Sequence, residues 1–363
     1  MTIPPSGALA APLLVVGRDW GWEEQRAQRQ FVGASGKLVT QGMAAAGLNR
    51  ETDACILNVV EAQPPANDWS GHTTEVIARG AERVATVCAK HPRSLVVALG
   101  EQAAIAAAGQ IPARAIADVS AQFRNLFGDS ITNVRGYVYA DVGPVPILVM
   151  CHPAFVLRNW HPWWATSLWD WRKAARLAQT GYRTPNVAWD LVERVASMWG
   201  LRAPAIAVDI ETSGTGCIAF ASSADRAIVF AGKPAPDHPN ADAICRILAN
   251  PVPKVFQNGQ FDVTMLERSG WQVRNWHYDT MVMWHALEPL LAGTQKDDSA
   301  SGRKKAGGKR TEKGLRFLGS LLTDFPHWKN YAFETDEQQF ELCARDAAVT
   351  WACWQTLRAR LAA

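Results

Sequence analysis

Apolar runs that stop at polar or turn-prone residues recur along the chain, and the segments between them carry helical periodicity. In the first half the runs Pro12–Val16 (closed by Gly17), Cys55–Val60, Ser94–Leu99 and Val145–Met150 predict strands. Loop residues extend through Gly36. Lys37–Ala46, Thr74–Ala89 and a stretch opening at Glu101 predict helices, and Gln63–Asn67 is irregular because its two prolines break both regular structures. Strands alternating with helices imply a parallel sheet covered on both faces. Ligands in such folds sit at the carboxyl ends of strands, which here carry Arg18, Asp19, Asn58, Gly100 and His152.

The second half has a different rhythm. Gly181–Asn186 reads as a linker, followed by a helix over 187–199 with Gly200 as its stop. The strand Ala205–Glu211 ends in two acids one residue apart, then small residues. Side chains alternate across a strand, so Asp209 and Glu211 share one face while Val208 and Ile210 point into core. Two adjacent carboxylates leaving an apolar strand are tolerated most easily when a cation neutralises them, and magnesium or manganese takes such oxygens; the alternative is a strand that simply emerges into solvent at Asp209. Cys217–Ser222 and Ala227–Ala231 extend an antiparallel meander. A helix over 240–249, a strand Lys254–Gln257, a helix from Asn258 to Ser269, another from His277 and a last one over 337–361 complete the half.

At 363 residues the chain is long for one core, and the change of rhythm places two domains at 1–183 and 184–363. Hydrophobic content of 48% with 20% charged residues fits a globular protein, and no apolar run reaches the roughly 18 residues of a membrane span. With no basic, apolar leader at the N-terminus, the expectation is a cytoplasmic protein. Seven widely spaced cysteines without a Cys-x-x-Cys pair favour reduced thiols. Basicity is concentrated: Lys296–Lys313 holds seven Lys or Arg against three acids inside an aperiodic segment, 292–314. That segment is either a solvated loop or a phosphate-contacting arm built on Arg303, Lys304, Lys305, Lys309 and Arg310. Trp160, Trp163, Trp164, Trp169 and Trp171 crowd into twelve residues. Packing explains their helical spacing; the alternative is a platform for unstacked bases, with Arg158, Arg172 and Lys173 on phosphate.

Four motifs in order, Val15-Val-Gly-Arg-Asp-Trp-Gly21, Phe31-Val-Gly-Ala-Ser-Gly36, Leu57-Asn-Val-Val60 with Pro64-Pro-Ala-Asn67, and His152-Pro-Ala-Phe-Val-Leu-Arg-Asn159, resemble the uracil-DNA glycosylase superfamily, particularly its iron-sulfur branch. The resemblance implies a three-layer α/β domain that reads a base extruded from DNA. In it Phe31 would stack on the base, Asn58 would read its edge and His152 would support the leaving base. Leu157 and Arg158 would belong to the loop that wedges into the duplex. The acid expected directly after Gly17 is replaced by Arg18, with Asp19 one place late, and Ala62 stands where a cluster cysteine is expected. No iron-sulfur cluster is therefore predicted.

Further on, Asp209-Ile-Glu211-Thr, Asn258-x-x-Phe261-Asp262 and Ala344-Arg-Asp346-Ala-Ala-Val-Thr350 resemble the three motifs of DEDD 3′–5′ exonucleases, especially the proofreading domains of bacterial and phage family A DNA polymerases. This implies an RNase H-like mixed sheet in which Asp209, Glu211, Asp262 and Asp346 hold two divalent ions, Mg2+ or Mn2+, about 4 Å apart. Asn258 and Phe261 would meet the DNA end, a single-stranded 3′ terminus or frayed duplex. Asp279 reads as structural. The family's base, a tyrosine four residues before the last aspartate or a histidine five before it, is replaced by Leu342 and Glu341. Glu341 faces away from Asp346 on a regular helix. Only 17 residues follow Asp346, too few for polymerase fingers or palm, so a separate polymerase partner is expected, while the resemblance to phage proofreading domains implies a phage-like origin with the host cytoplasm as location. The competing expectations are a non-catalytic DNA-binding accessory subunit and an active uracil-DNA glycosylase joined to an exonuclease.

Overall fold

The computed structural model describes residues 4–193, 200, 202–289, 291, 314–328 and 333–362. Two compact units, Met1–Thr184 and Pro185–Ala363, divide the chain. The basic residues Arg303, Lys304, Lys305, Lys309 and Arg310 lie outside the described residues.

In chain order the first unit contains β1 (Ser6–Gly7), β2 (Leu13–Asp19), α1 (Trp22–Ala27), α2 (Ala34–Ala45), β3 (Ala54–Val60), α3 (Thr74–Lys90), β4 (Leu95–Leu99) and α4 (Glu101–Ala107). It continues with α5 (Ile116–Phe127), α6 (Ile131–Val134), β5 (Val138–Tyr139), β6 (Ile147–Met150), α7 (Pro153–Arg158) and α8 (Trp160–Thr180). The sheet order is β1-β3-β2-β4-β6-β5, with a parallel centre and antiparallel edges at β1 and β5. Alternate residues of the same strands feed two cores. Leu14, Val16, Cys55 and Leu57 pack with Ile77 and Val84 of α3 and Phe123 of α5, while Leu13, Val15 and Ile56 pack with Met43 of α2 and Trp171 of α8. Helices on both faces of one sheet make a three-layer α/β unit.

Gly17 does not end the second strand, as its turn propensity suggested. The strand runs on to Asp19, with Gly17 opposite Asn58 and Asp19 opposite Val60. A Cβ at Gly17 would stand 2.2 Å from Asn58 Oδ1 and 2.4 Å from Phe31 Cζ, so the glycine serves close packing rather than a turn. The loop expected through Gly36 also contains α1 and the first residues of α2.

The second unit contains β7 (Ala188–Leu191), β8 (Ile206–Glu211), β9 (Cys217–Ala221), β10 (Arg226–Ala231), α9 (Ala241–Ala249), β11 (Lys254–Phe256), α10 (Gln260–Arg268), β12 (Trp276–Asp279), α11 (Thr280–Leu287), α12 (Leu315–Leu322) and α13 (Asp336–Leu361). Its mixed sheet runs β12-β11-β8-β9-β10-β7. The helix expected over 187–199 is corrected in its described part: Ala188–Leu191 is a strand lying parallel to β10, and residues 194–199 are outside the described set. Backbone groups on the edge of β10 take partners from β7, an advantage that outweighs the weak helical preference of a short segment.

The two faces of this sheet are built differently. Val208, Ile210, Ile218 and Phe220 form a bulky face under Ile244 and Leu248 of α9 and Val263 and Leu266 of α10. On the opposite face Ala207 stands across from Ala221, Asp209 from Ala219 and Glu211 from Cys217. These short side chains let α13, whose Cys343 meets Asp209, lie close to the strand that carries the acids.

Candidate functional site

In the second unit β8 brings Asp209 and Glu211 to its carboxyl end, and α13 supplies Asp346. Oxygen atoms of these three residues lie within 4.8 Å of one another, a donor set that suits a hard divalent cation. Asp346 is buried and accepts a hydrogen bond of 2.5 Å from the Trp328 indole N–H. Against Asp209 lies the Cys343 thiol, 3.4 Å from Oδ2 and 3.5 Å from the backbone oxygen. Burial, the neighbouring Cys217 and the Asp209 charge keep that thiol well above its usual range, hence protonated and able to donate.

Asp262 is not among the three converging acids. It sits buried in the first turn of α10, where desolvation, aided by the charges of Asp279 and Glu211, pushes its carboxyl up to about 7 against the backbone N–H groups of Asp262 and Ile210. Phe261, 52% exposed, lies in the first turn of α10, and Asn258, at φ 59°, occupies the turn before that helix. Asp279 holds this turn from outside. Its carboxylate accepts the N–H groups of Asn258 at 3.2 Å and Gly259 at 2.7 Å, and caps α11 through Met281 N–H at 2.9 Å.

Glu341 is engaged in an ion pair with Arg345 at 2.5 Å. Together with Leu342, Gln338, Trp328 and Phe333 this pair lines a cavity of about 190 Å3. Leu342 thus leaves open space at the position where the resemblance put a phenol. Sequence reasoning missed Trp328 and Cys343: one lies 18 residues before Asp346, outside any motif, and the other looked like an ordinary core residue of α13.

In the first unit Asn58 is buried, and its Nδ2 donates to Gln30 Oε1 at 2.8 Å. The same Gln30 oxygen accepts the Trp20 indole N–H at 2.7 Å, and Gln30 Nε2 donates to Glu61 at 2.8 Å. Phe31, at φ 50°, is held by Arg50, whose guanidinium donates to the carbonyls of Gln30 at 2.5 Å and Phe31 at 2.7 Å. Gln30 and Arg50 were also missed, because a polar residue beside a motif gives no sign that it will be buried.

His152 caps α7 by accepting Ala154 N–H on Nδ1 at 3.1 Å, which leaves the ring proton on Nε2. Burial, which disfavours the charged ring, lowers its pKa to about 4, with Arg18 and Arg158 adding to the effect and Asp19 opposing it. The neutral imidazole is therefore a donor throughout the neutral range. Asp19 pairs with Arg18 at 2.8 Å and faces His72 Nε2 at 3.4 Å. Leu157 and Arg158 are exposed at the end of α7.

The tryptophan segment does not behave as one block. Trp169 and Trp171 are buried, whereas Trp160, 44% exposed, stacks on Trp164 with centroids 5.3 Å apart and planes at 18°. Lys173 is buried and donates to the Gly136 carbonyl at 2.8 Å, so the phosphate role considered for it is withdrawn. An iron-sulfur cluster of the four-thiolate kind needs four cysteines. Residues 1–184 hold three, Cys55, Cys88 and Cys151, all buried, with Ala62 packed against the core. That donor set does not fit the cluster.

The first unit is thus a three-layer α/β domain whose sheet has a parallel centre, with Asn58 near the carboxyl end of β3 and His152 just after β6. Residues 4–174 match the family described as the Uracil DNA glycosylase superfamily. The chain is 31% identical over 161 residues, 43% of its length and 74% of the relative, to a type-4 uracil-DNA glycosylase of Pyrobaculum aerophilum. It is 33% identical over 162 residues, 43% of its length and 71% of the relative, to one of Archaeoglobus fulgidus. The chain belongs to the uracil-DNA glycosylase superfamily. Among solved structures, Brucella melitensis NrnC with bound Mg2+ has a TM-score of 0.33 at 18% identity, covering 50% of this chain and 83% of that one. The EXD2 exonuclease domain soaked in Mn and GMP has a TM-score of 0.23 at 17% identity, covering 48% and 91%. At these scores the likeness says nothing about chemistry.

Proposed function

We propose that the protein is a DNA-processing enzyme whose second unit is a metal-dependent 3′–5′ exonuclease releasing nucleoside 5′-monophosphates, and whose first unit binds DNA and reads bases. The convergence of Asp209, Glu211 and Asp346 within 4.8 Å is the observation that carries the reading. These residues, with Asp262 alongside, would hold Mg2+ or Mn2+. A bound divalent ion supplies a lowered pKa for water and neutralises charge on the phosphodiester. The chain's own contribution is to fix the acids on two rigid elements and to present Asn258 and Phe261 toward a 3′ end. Phe31, Asn58 and His152 would receive a base in the first unit, with Leu157 and Arg158 at the strand. Proofreading or repair beside a separate DNA polymerase is the role this combination suits.

The test is a 5′-labelled single strand incubated with Mg2+ or Mn2+. A ladder of shortened products that disappears in Asp209→Ala with Glu211→Ala supports the reading; a ladder unchanged by those substitutions rejects it. One observation favours a second reading, a non-catalytic DNA-binding subunit: Glu341 is tied to Arg345, and Leu342 offers no proton acceptor. Tight DNA binding with no ladder at any enzyme concentration would select it.

A further inference from the structure

The most unusual contact near the acids is the one between Trp328 and Asp346. An indole N–H cannot take a proton from water at any accessible pH, so Trp328 does not replace the missing tyrosine or histidine as a base. What it can do is donate, and it donates at 2.5 Å to Oδ1 of a buried carboxylate. Hydrogen bonds to an ionised acceptor are short and strong, and their direction fixes the carboxylate plane. The donor is itself immobilised. Trp328 is 1% exposed, and its ring lies so close to α12 that a Cβ on Gly319 would stand 2.7 Å from Cη2. The glycine is what admits the indole. Trp328 also lines the cavity beside Leu342 and Arg345.

We propose that Trp328 is a positioning residue for the divalent-metal site. Its indole N–H sets the orientation of the Asp346 carboxylate, and Gly319 provides the space that makes this possible. The inference rests on the proposed metal-binding role of Asp346 and adds a residue outside the three acidic motifs. It identifies an outer donor that fixes the orientation of the Asp346 carboxylate on α13. Removing such an outer partner costs 10- to 100-fold in metal affinity.

The test uses the full chain and Mn2+ as the probe, with free Mn2+ followed by its electron spin resonance. Trp328→Phe keeps an aromatic ring and removes the N–H. The expected result is a 10- to 100-fold weaker Mn2+ Kd, with a smaller loss of kcat at saturating Mn2+. Gly319→Ala, which pushes the indole without deleting it, is expected to weaken Mn2+ binding in the same direction. A Kd within twofold of wild type in a folded Trp328→Phe protein would make Trp328 a packing residue only and overturn the proposal. The wild-type protein gives an answer that needs no variant at Trp328. One indole N–H proton resonance is expected to shift on adding Mg2+ and to stay still in Asp346→Asn. If Mg2+ moves backbone signals around Asp209 but no indole signal, the proposal fails while the metal site stands; if Mg2+ moves nothing, the metal-site reading itself fails.

Discussion

The Asp279 carboxylate accepts the backbone N–H of Gly259 at 2.7 Å while also capping the helix that begins at Thr280. One side chain thereby joins the turn before Asp262 to the start of α11. Asp279→Ala removes a helix cap and leaves the N–H groups of Asn258 and Gly259 without their acceptor. The expected cost is about 1–3 kcal/mol, read from urea unfolding, together with a loss in the rate of the proposed exonuclease larger than the stability change would produce. A variant with wild-type unfolding and wild-type rate would show that the link is dispensable.

Asp262 makes the metal-free protein sensitive to pH in a defined direction. Its carboxyl stands at about 7 in the folded chain against an ordinary value of 3.8. A raised folded pKa contributes stability that is complete below pH 3.8 and is lost as pH rises through 7. Melting temperatures without metal should therefore fall across this window because of this group, and Asp262→Asn should flatten that part of the profile. Added Mn2+ should reverse the slope, since the ion competes with the proton for Asp262 and its neighbours. Equal slopes with and without Mn2+ would separate Asp262 from the metal.

Leu342 beside the open cavity suggests a gain rather than a loss. Leu342→Tyr places a phenol four residues before Asp346, into space that is already present. General-base assistance is typically worth about 100- to 10,000-fold, and even a fraction of it should appear as faster shortening of a 5′-labelled strand. An unchanged rate in a folded variant would mean that proton removal from water does not limit the reaction.

Gln30 accepts from both Trp20 and Asn58 with no exposure to solvent. Gln30→Ala leaves two buried donors unpaired, a cost of about 1–3 kcal/mol for each. It also frees the Asn58 amide to rotate. Binding of a uracil-containing strand is expected to weaken more than binding of the same strand with thymine, measured by fluorescence anisotropy on a protein carrying Asp209→Ala.

Much of the α/β plan was legible because strand runs and helical stretches alternate with clear punctuation, and the Asp209 strand announced itself by two acids at spacing two. Three things were not. Gly17 carries a turn residue's identity but a packing role that only Phe31 and Asn58 reveal. Ala188–Leu191 pairs because an edge of β10 is available to it, a non-local fact that no local preference encodes. Trp328 reaches Asp346 across a segment whose spacing carries no period, so the indole's role appears only when both side chains are placed.

Helix α13 is a single rod of 26 residues that carries Asp346, the Cys343 thiol and the Leu342 and Arg345 wall of the cavity. Such a rod offers no separate segment that could open and close the acids independently. The most slowly exchanging amide protons of the second unit should accordingly lie along it, and the pH, heat or denaturant that frees them should abolish the proposed nuclease activity in the same cooperative step.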